Sequence, residues 1–171
     1  FRGYKRLADT SLAQVEDESF FYLLDPESNS LAIVVKHIAG NLRSRWTDFL
    51  TTDGEKPDRD RDQEFILTPA DTRADLMRRW EASFETVFAT LRGLQPEDVT
   101  RTVYIRSEPH TVLQAMLRSV THVAHHIGQI VFLAKHLRGA EWNTLSIPKG
   151  KSAEFNAQKP EERKMNIPSR S

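Results

Sequence analysis

The sequence contains no cysteine, which excludes disulfide bonds, thiolate metal sites and cysteine nucleophiles. A metal ion would therefore have to be bound by histidine, aspartate or glutamate side chains. Long apolar segments are also missing: no run exceeds the five residues from Leu31 to Val35, whereas a membrane-spanning helix needs about 18. These absences predict a cytoplasmic protein that does not contact a membrane.

An excess of either charge is missing as well, because 24 Lys and Arg residues are balanced by 24 Asp and Glu residues. Nucleic-acid-binding proteins usually carry a basic excess, so the composition does not predict such a partner. Glycine and proline are scarce, with 7 and 8 residues, which argues against fibrous or disordered chains. A length of 171 residues is typical of one globular domain.

Four segments show the apolar spacing of amphipathic helices. They cover approximately residues 3–24, 28–52, 71–91 and 109–138. Such a pattern predicts an all-α fold, specifically a four-helix bundle with a long connection between helices two and three and an irregular C-terminal tail. We expect the bundle to occupy residues 1–157 and a mobile polar tail to occupy residues 158–171.

Two connections complete this prediction. Residues 53–70 are polar, charged and bracketed by proline, so we expect a long excursion over the surface. Within it, the Arg-Asp-Arg-Asp run at 59–62 is interpreted as a solvated loop, and residues 65–67 are candidates to fold back onto the bundle. The β-branched stretch Thr102–Ile105 resembles a short strand, but a lone strand would leave its edges unpaired.

The fourth helix contains two histidines at the spacing of a metal-binding pair. His122 and His126 are four residues apart and therefore lie one turn apart on the same helix face. The spacing resembles the zincin motif, but position 123 is Val123 rather than the zincin glutamate, so metalloprotease chemistry is not predicted. His125 points toward the solvent side of the helix and is not predicted to be a ligand.

His37 in the second helix is the best candidate for a third ligand. It begins a polar flank that continues through Asn41 at helical spacing, beside the apolar face of the helix. Metal sites in helix bundles are built from such facing flanks. Three neutral imidazoles would leave coordination positions for water or substrate, as in catalytic zinc sites.

Each of these residues also has an ordinary structural explanation. A lone buried histidine is usually a hydrogen-bonded core residue, and an H-x-x-x-H pair arises by chance on many helices. Asn41 and Gln129 are interpreted either as ligand-orienting groups or as polar surface residues. Spacing alone therefore leaves open a helical interaction domain that binds no metal.

The segments LAIVVKHIAGNLRSRW and THVAHHIGQIVFLAKHL resemble the DinB/YfiT-like superfamily of metal-binding four-helix bundles. The shared pattern is one histidine in helix two together with H-x-x-x-H-x-G-Q-[IL] in helix four. The connection TTDGEKPDRDRDQEF and the tail TLSIPKGKSAEFN resemble an uncharacterised subfamily, so the resemblance covers about residues 28–157. By position, it implies the same three metal ligands: His37, His122 and His126.

The resemblance implies one bound divalent ion, zinc or nickel, and a homodimer. Characterised members include S-transferases that use bacillithiol or mycothiol and a maleylpyruvate isomerase. We therefore expect an enzyme that activates a low-molecular-weight thiol or water for attack on a small-molecule substrate, as a thiol S-transferase or a hydrolase. Asn41 and Gln129 are candidates to orient ligands, and Arg43 or Arg45 to contact a carboxylate. The alternative is a non-catalytic stress-response protein that binds a metal or a small ligand.

Overall fold

A computed structural model describes residues 1–158, which are mostly helical. The described part contains six α-helices and one antiparallel hairpin. The helices are α1 (Arg2–Leu12), α2 (Asp17–Phe21), α3 (Leu31–Trp46), α4 (Arg73–Gly93), α5 (Val112–Arg138) and α6 (Ser152–Ala157). The strands are β1 (Thr102–Ile105) and β2 (Glu108–Thr111). Within residues 1–158, every helix is too short or too polar to cross a membrane.

Helix α3 is the centre of the core. Twelve of its sixteen residues are buried, so other elements cover most of its surface. It packs against α4 and α5, and α5 also packs against α1. The indole Nε1 of Trp46 at the end of α3 donates a hydrogen bond to Ser119 Oγ of α5 at 2.9 Å. Buried apolar surface and this bond fix α3 against α5, the two helices that carry the candidate ligands.

The prediction of one continuous first helix over residues 3–24 is wrong. Helix α1 ends at Leu12 and a separate short helix, α2, begins at Asp17. The guanidinium of Arg73 in α4 donates hydrogen bonds at 2.7 Å to the carbonyl oxygens of Leu12 and Val15. A side chain distant in sequence therefore satisfies the carbonyl groups at the break, where a continuing helix would have satisfied them locally.

The fourth predicted helix begins three residues later than expected, at Val112, because residues 108–111 form strand β2. This strand is the partner that the predicted strand Thr102–Ile105 lacked. The hairpin turns through Arg106 and Ser107, whose φ angles are 56° and 64°. Asp53 holds this turn by accepting hydrogen bonds from both backbone N–H groups, at 2.8 and 2.7 Å.

Helices α3 and α4 also end or begin at positions that their side chains explain. Thr72 caps the start of α4, where its side chain accepts a hydrogen bond from the Asp75 N–H. Helix α3 ends at Trp46 instead of near residue 52, since Asp48 adopts a left-handed conformation and begins a turn. The tail is not wholly irregular, because Ser152–Ala157 forms α6. The predicted mobile tail lies, apart from residue 158, outside the described residues.

Candidate metal centre

The structure brings together the three histidines that the sequence predicted as ligands. His37 comes from α3, and His122 and His126 come from consecutive turns of α5. Each offers a ring nitrogen, and these three nitrogens all lie within 4.8 Å of one another. His37 is buried, whereas His122 and His126 are partly exposed. The cluster therefore sits at the edge of the core, where a bound ion would also be accessible to small molecules.

The spacing of one pair of ring nitrogens is suited to a tetrahedral ion. The Nε2 atoms of His37 and His122 are 3.3 Å apart. Two nitrogen ligands at about 2.0–2.1 Å from a zinc ion with tetrahedral angles would be separated by about 3.3 Å. The pair is thus positioned as two adjacent corners of such a coordination polyhedron.

Hydrogen bonds on the far side of two rings set their tautomers. Nδ1 of His37 lies 2.8 Å from Glu64 Oε2, and Nδ1 of His126 lies 2.7 Å from Gln129 Oε1. Both oxygens accept a hydrogen bond, so each neutral ring carries its proton on Nδ1 and leaves the Nε2 lone pair free. Gln129, a predicted supporting residue, therefore orients a candidate ligand. Metal-bound histidines are commonly held in this way.

The third ring lacks such support. Nδ1 of His122 is buried and has no hydrogen-bond partner among residues 1–158. With Nε2 directed at a cation, this Nδ1 would carry the proton. The donor set of three neutral imidazoles, two with fixed tautomers, fits a divalent ion such as zinc or nickel.

Glu64 and Arg59 support the candidate ligand His37, although the sequence did not predict a role for either residue. The prediction that residues 59–62 are wholly solvated is wrong for Arg59, whose side chain is only 3% exposed. Its Nε and Nη2 donate to Glu64 Oε1 and Oε2 at 2.8 and 2.9 Å. Burial acts to raise the pKa of Glu64, but the hydrogen bonds from His37 and Arg59 outweigh it and lower that pKa. Glu64 therefore remains ionised beneath His37.

Gly40 makes room for this buried carboxylate. It lies on α3 one turn after His37, and a Cβ atom there would overlap Glu64 Oε1 and come within 2.7 Å of its Cδ. Glycine in a helix interior normally costs about 1 kcal/mol relative to alanine. An isolated glycine within a buried helix was therefore the sequence signal for close packing at this point.

We expect the variant Gly40→Ala to be destabilised by about 1–3 kcal/mol, since the methyl group must displace the Glu64 carboxylate. Gly128→Ala on α5 is the matched control, because a Cβ atom at Gly128 meets nothing within 4 Å. That variant should be unchanged or more stable by up to about 1 kcal/mol. Urea unfolding monitored by circular dichroism measures both. Equal stabilisation of the two variants would contradict the packing of Glu64 against α3.

Burial and electrostatics keep His122 and His126 neutral. Burial is the largest cause that lowers the pKa of His122 to about 4, and coulombic interactions with the His126 and His37 rings and with Arg59 and Arg45 act in the same direction. Burial also lowers the pKa of His126, although its hydrogen bond to Gln129 acts in the opposite direction. Both rings are thus unprotonated near neutral pH, as metal binding requires.

The lowered pKa of His122 predicts how the metal-free protein responds to acid. Between about pH 6.5 and 4 the unfolded chain binds a proton at this residue that the folded chain does not, so stability falls as the pH drops through that window. Since the ring is partly exposed, solvent screening should limit the loss to about 2 kcal/mol. Urea unfolding of EDTA-treated wild type and His122→Gln across this range tests the effect. Identical pH profiles would contradict it.

A pocket of about 580 Å³ opens beside the three histidines. Its wall includes Asn41 and Arg45, both predicted to support the site, and His125, which lies outside the three-histidine cluster. Arg43, the other arginine considered for a carboxylate, is exposed, forms an ion pair with Asp58 and is not part of this wall. Phe65 covers one side of His37, with ring centroids 4.7 Å apart.

Comparison with known proteins gives one family match. The model of the family described as Protein of unknown function (DUF1572) matches residues 1–151, which include every residue of the site. No curated protein matches the chain.

Proposed function

The chain belongs to the DUF1572 family, and we propose that it is a divalent-metal-dependent enzyme with the four-helix-bundle architecture of the DinB/YfiT-like superfamily. In this proposal His37, His122 and His126 hold one zinc or nickel ion. The substrate is a small molecule that reacts with a low-molecular-weight thiol or with water. The family match is compatible with this assignment.

The convergence of three imidazole nitrogens on the wall of an open pocket carries the proposal. Structural zinc sites have four protein ligands, whereas catalytic sites have three and leave a position for a reacting molecule. Among residues 1–158, these three histidines have ligand atoms close enough together to hold one ion. The open side of the cluster faces the pocket of about 580 Å³, a volume within the usual range of small-ligand pockets.

A divalent ion in this position would act as a Lewis acid and lower the pKa of a thiol or of water. The chain contributes the ligand geometry: Glu64 fixes the His37 ring and Gln129 fixes the His126 ring. The thiol must come from outside, because the chain has no cysteine. Its sulfur would form the bond to the electrophilic carbon of the substrate, the thiol proton would pass to solvent, and the leaving group would depart with its electron pair.

Turnover of a model electrophile tests the proposal. Untagged protein loaded with zinc or nickel would be mixed with 1-chloro-2,4-dinitrobenzene and a low-molecular-weight thiol, and release of the thioether followed by absorbance. Loaded wild type should exceed the uncatalysed rate, and His122→Ala should not. His125→Ala, which alters a neighbouring ring outside the cluster, should retain activity.

Two other outcomes identify the alternatives. Protein that binds the metal but gives only the background rate with the thiol and with hydrolysable esters would favour a non-catalytic binding protein. Protein that contains less than about 0.1 metal ion per chain after growth with zinc and nickel would contradict the metal site itself, since a site of this kind binds tightly.

We also propose that the chain forms a homodimer through the outer face of α5. Leu113, Leu117 and Phe132 on this helix are 47%, 54% and 72% exposed. Leu113 and Leu117 lie one turn apart on α5, and neighbouring exposed apolar side chains are typical of interfaces. Sedimentation velocity should therefore show a dimer, and a concentration-independent monomer would contradict this part of the proposal.

A further inference from the structure

Arginine dominates the polar wall of the pocket beside the three histidines. Five arginines line it: Arg45, Arg59, Arg61, Arg106 and Arg118. None of the described aspartates or glutamates is part of this wall. Glu55 and Glu64 are not part of the wall but form ion pairs with three of these arginines, namely Arg45, Arg59 and Arg106. Even with Asp62, which lies 3.8 Å from Arg61, three carboxylates cannot neutralise five guanidinium groups, so the pocket is positively charged.

The guanidinium of Arg118 has no hydrogen-bond or ion-pair partner within the described range 1–158, unlike the arginines paired with Glu55 and Glu64. It lies on α5 one turn before His122 and is exposed at the pocket wall. Residues four apart on a helix have Cβ atoms separated by roughly 5–6 Å. Arg118 therefore lines the same pocket as the candidate metal centre, with a guanidinium that is free to bind a ligand there.

Arg61, from the connection between α3 and α4, adds to the positive charge of the pocket wall. Its guanidinium lies 5.0 Å from the centroid of the Phe65 ring, and that ring packs against His37. The nearest carboxylate, Asp62, is 3.8 Å away, and its side chain is 91% exposed. Such a pair is weak because solvent screens it. Arg61 thus retains most of its capacity to bind an anion.

We infer that the substrate or the thiol carries a carboxylate, which Arg118 binds while the reactive group faces the three histidines. This inference rests on the proposed function, because it orients the molecule relative to that site. Arginine presents a planar fork of donors that matches a carboxylate. Three neutral imidazoles would also leave the charge of a divalent ion uncompensated, which further favours an anionic ligand.

Binding of two aryl thiols to the cobalt-loaded protein tests the inference. The probes are 4-mercaptobenzoate, whose carboxylate is too far from its sulfur to bind the same ion, and neutral 4-mercaptobenzyl alcohol. Sulfur ligation of cobalt gives an absorption band that measures affinity without turnover. Arg118→Gln should weaken 4-mercaptobenzoate binding about tenfold, as expected for loss of a hydrogen bond to a charged group. Binding of the neutral thiol should change less than about twofold.

Arg43→Gln is the matched control, since Arg43 is exposed and lies outside the pocket wall. It should leave both affinities unchanged. Titration calorimetry with 4-mercaptobenzoate, with and without metal, measures the carboxylate contact even if no sulfur band forms. Absence of cobalt binding, or of the sulfur band with both thiols, would contradict the proposed function. Equal calorimetric and spectroscopic affinities for wild type and Arg118→Gln would overturn the inference alone.

Discussion

Replacement of His37, His122 or His126 by alanine should lower zinc affinity on the order of 100-fold or more. The free energy of zinc binding at sites with four protein ligands is about 10–16 kcal/mol, or about 3 kcal/mol for each ligand. Every 1.4 kcal/mol of binding free energy corresponds to a factor of ten in affinity. All three rings lie within one cluster, so loss of any one leaves only two ligands. Competition titrations with a chromophoric chelator at about neutral pH would measure the three affinities.

His125→Ala is the appropriate control for this series. His125 is adjacent to His126 in sequence and its ring centroid is 5.3 Å from that ring, but it does not belong to the ligand cluster. Its loss should change zinc affinity by less than about tenfold, the smallest effect usual for a group outside the coordination sphere. A loss for His125→Ala as large as that for His122→Ala would show that the ion binds elsewhere on α5.

Helical periodicity explains why the clustering of the three histidines was predictable. At about 100° per residue, His122 and His126 must share a face of α5, and His37 must lie beside the apolar face of α3. The two helices pack against each other because both bury apolar stripes, so their flanks meet. Local pattern and burial therefore determine this part of the site.

The groups that hold His37 depend on information that local pattern does not contain. Glu64 reaches His37 across 27 residues through an irregular connection, and the path of such a segment follows from many long-range contacts. Its charged composition favours a solvated loop on average, whereas Arg59 and Glu64 bury their charges by pairing. The break after α1 has a similar cause, because Arg73 supplies the hydrogen bonds from another helix.

Glu64→Gln should have the second-largest effect, because the carboxylate both orients His37 and neutralises Arg59. The neutral amide still offers an oxygen to His37 but leaves the buried guanidinium with only the longer contacts to Glu55, at 3.3–3.4 Å. Breaking a buried ion pair costs about 3–5 kcal/mol. Losing the charged partner of a metal-bound histidine lowers metal affinity by about 10–100-fold. Urea unfolding and zinc competition would measure the two effects.

A double variant separates these two roles of Glu64. Adding Arg59→Met to Glu64→Gln removes the uncompensated charge, so stability should recover by about 2 kcal/mol or more, while zinc affinity should stay low because His37 still lacks its carboxylate. Asp62→Asn is the control from the same turn, since the Asp62 side chain is 91% exposed. It should alter neither quantity. Recovery of zinc affinity in the double variant would mean that Glu64 acts only through the fold, whereas persistent loss identifies it as the residue that positions His37.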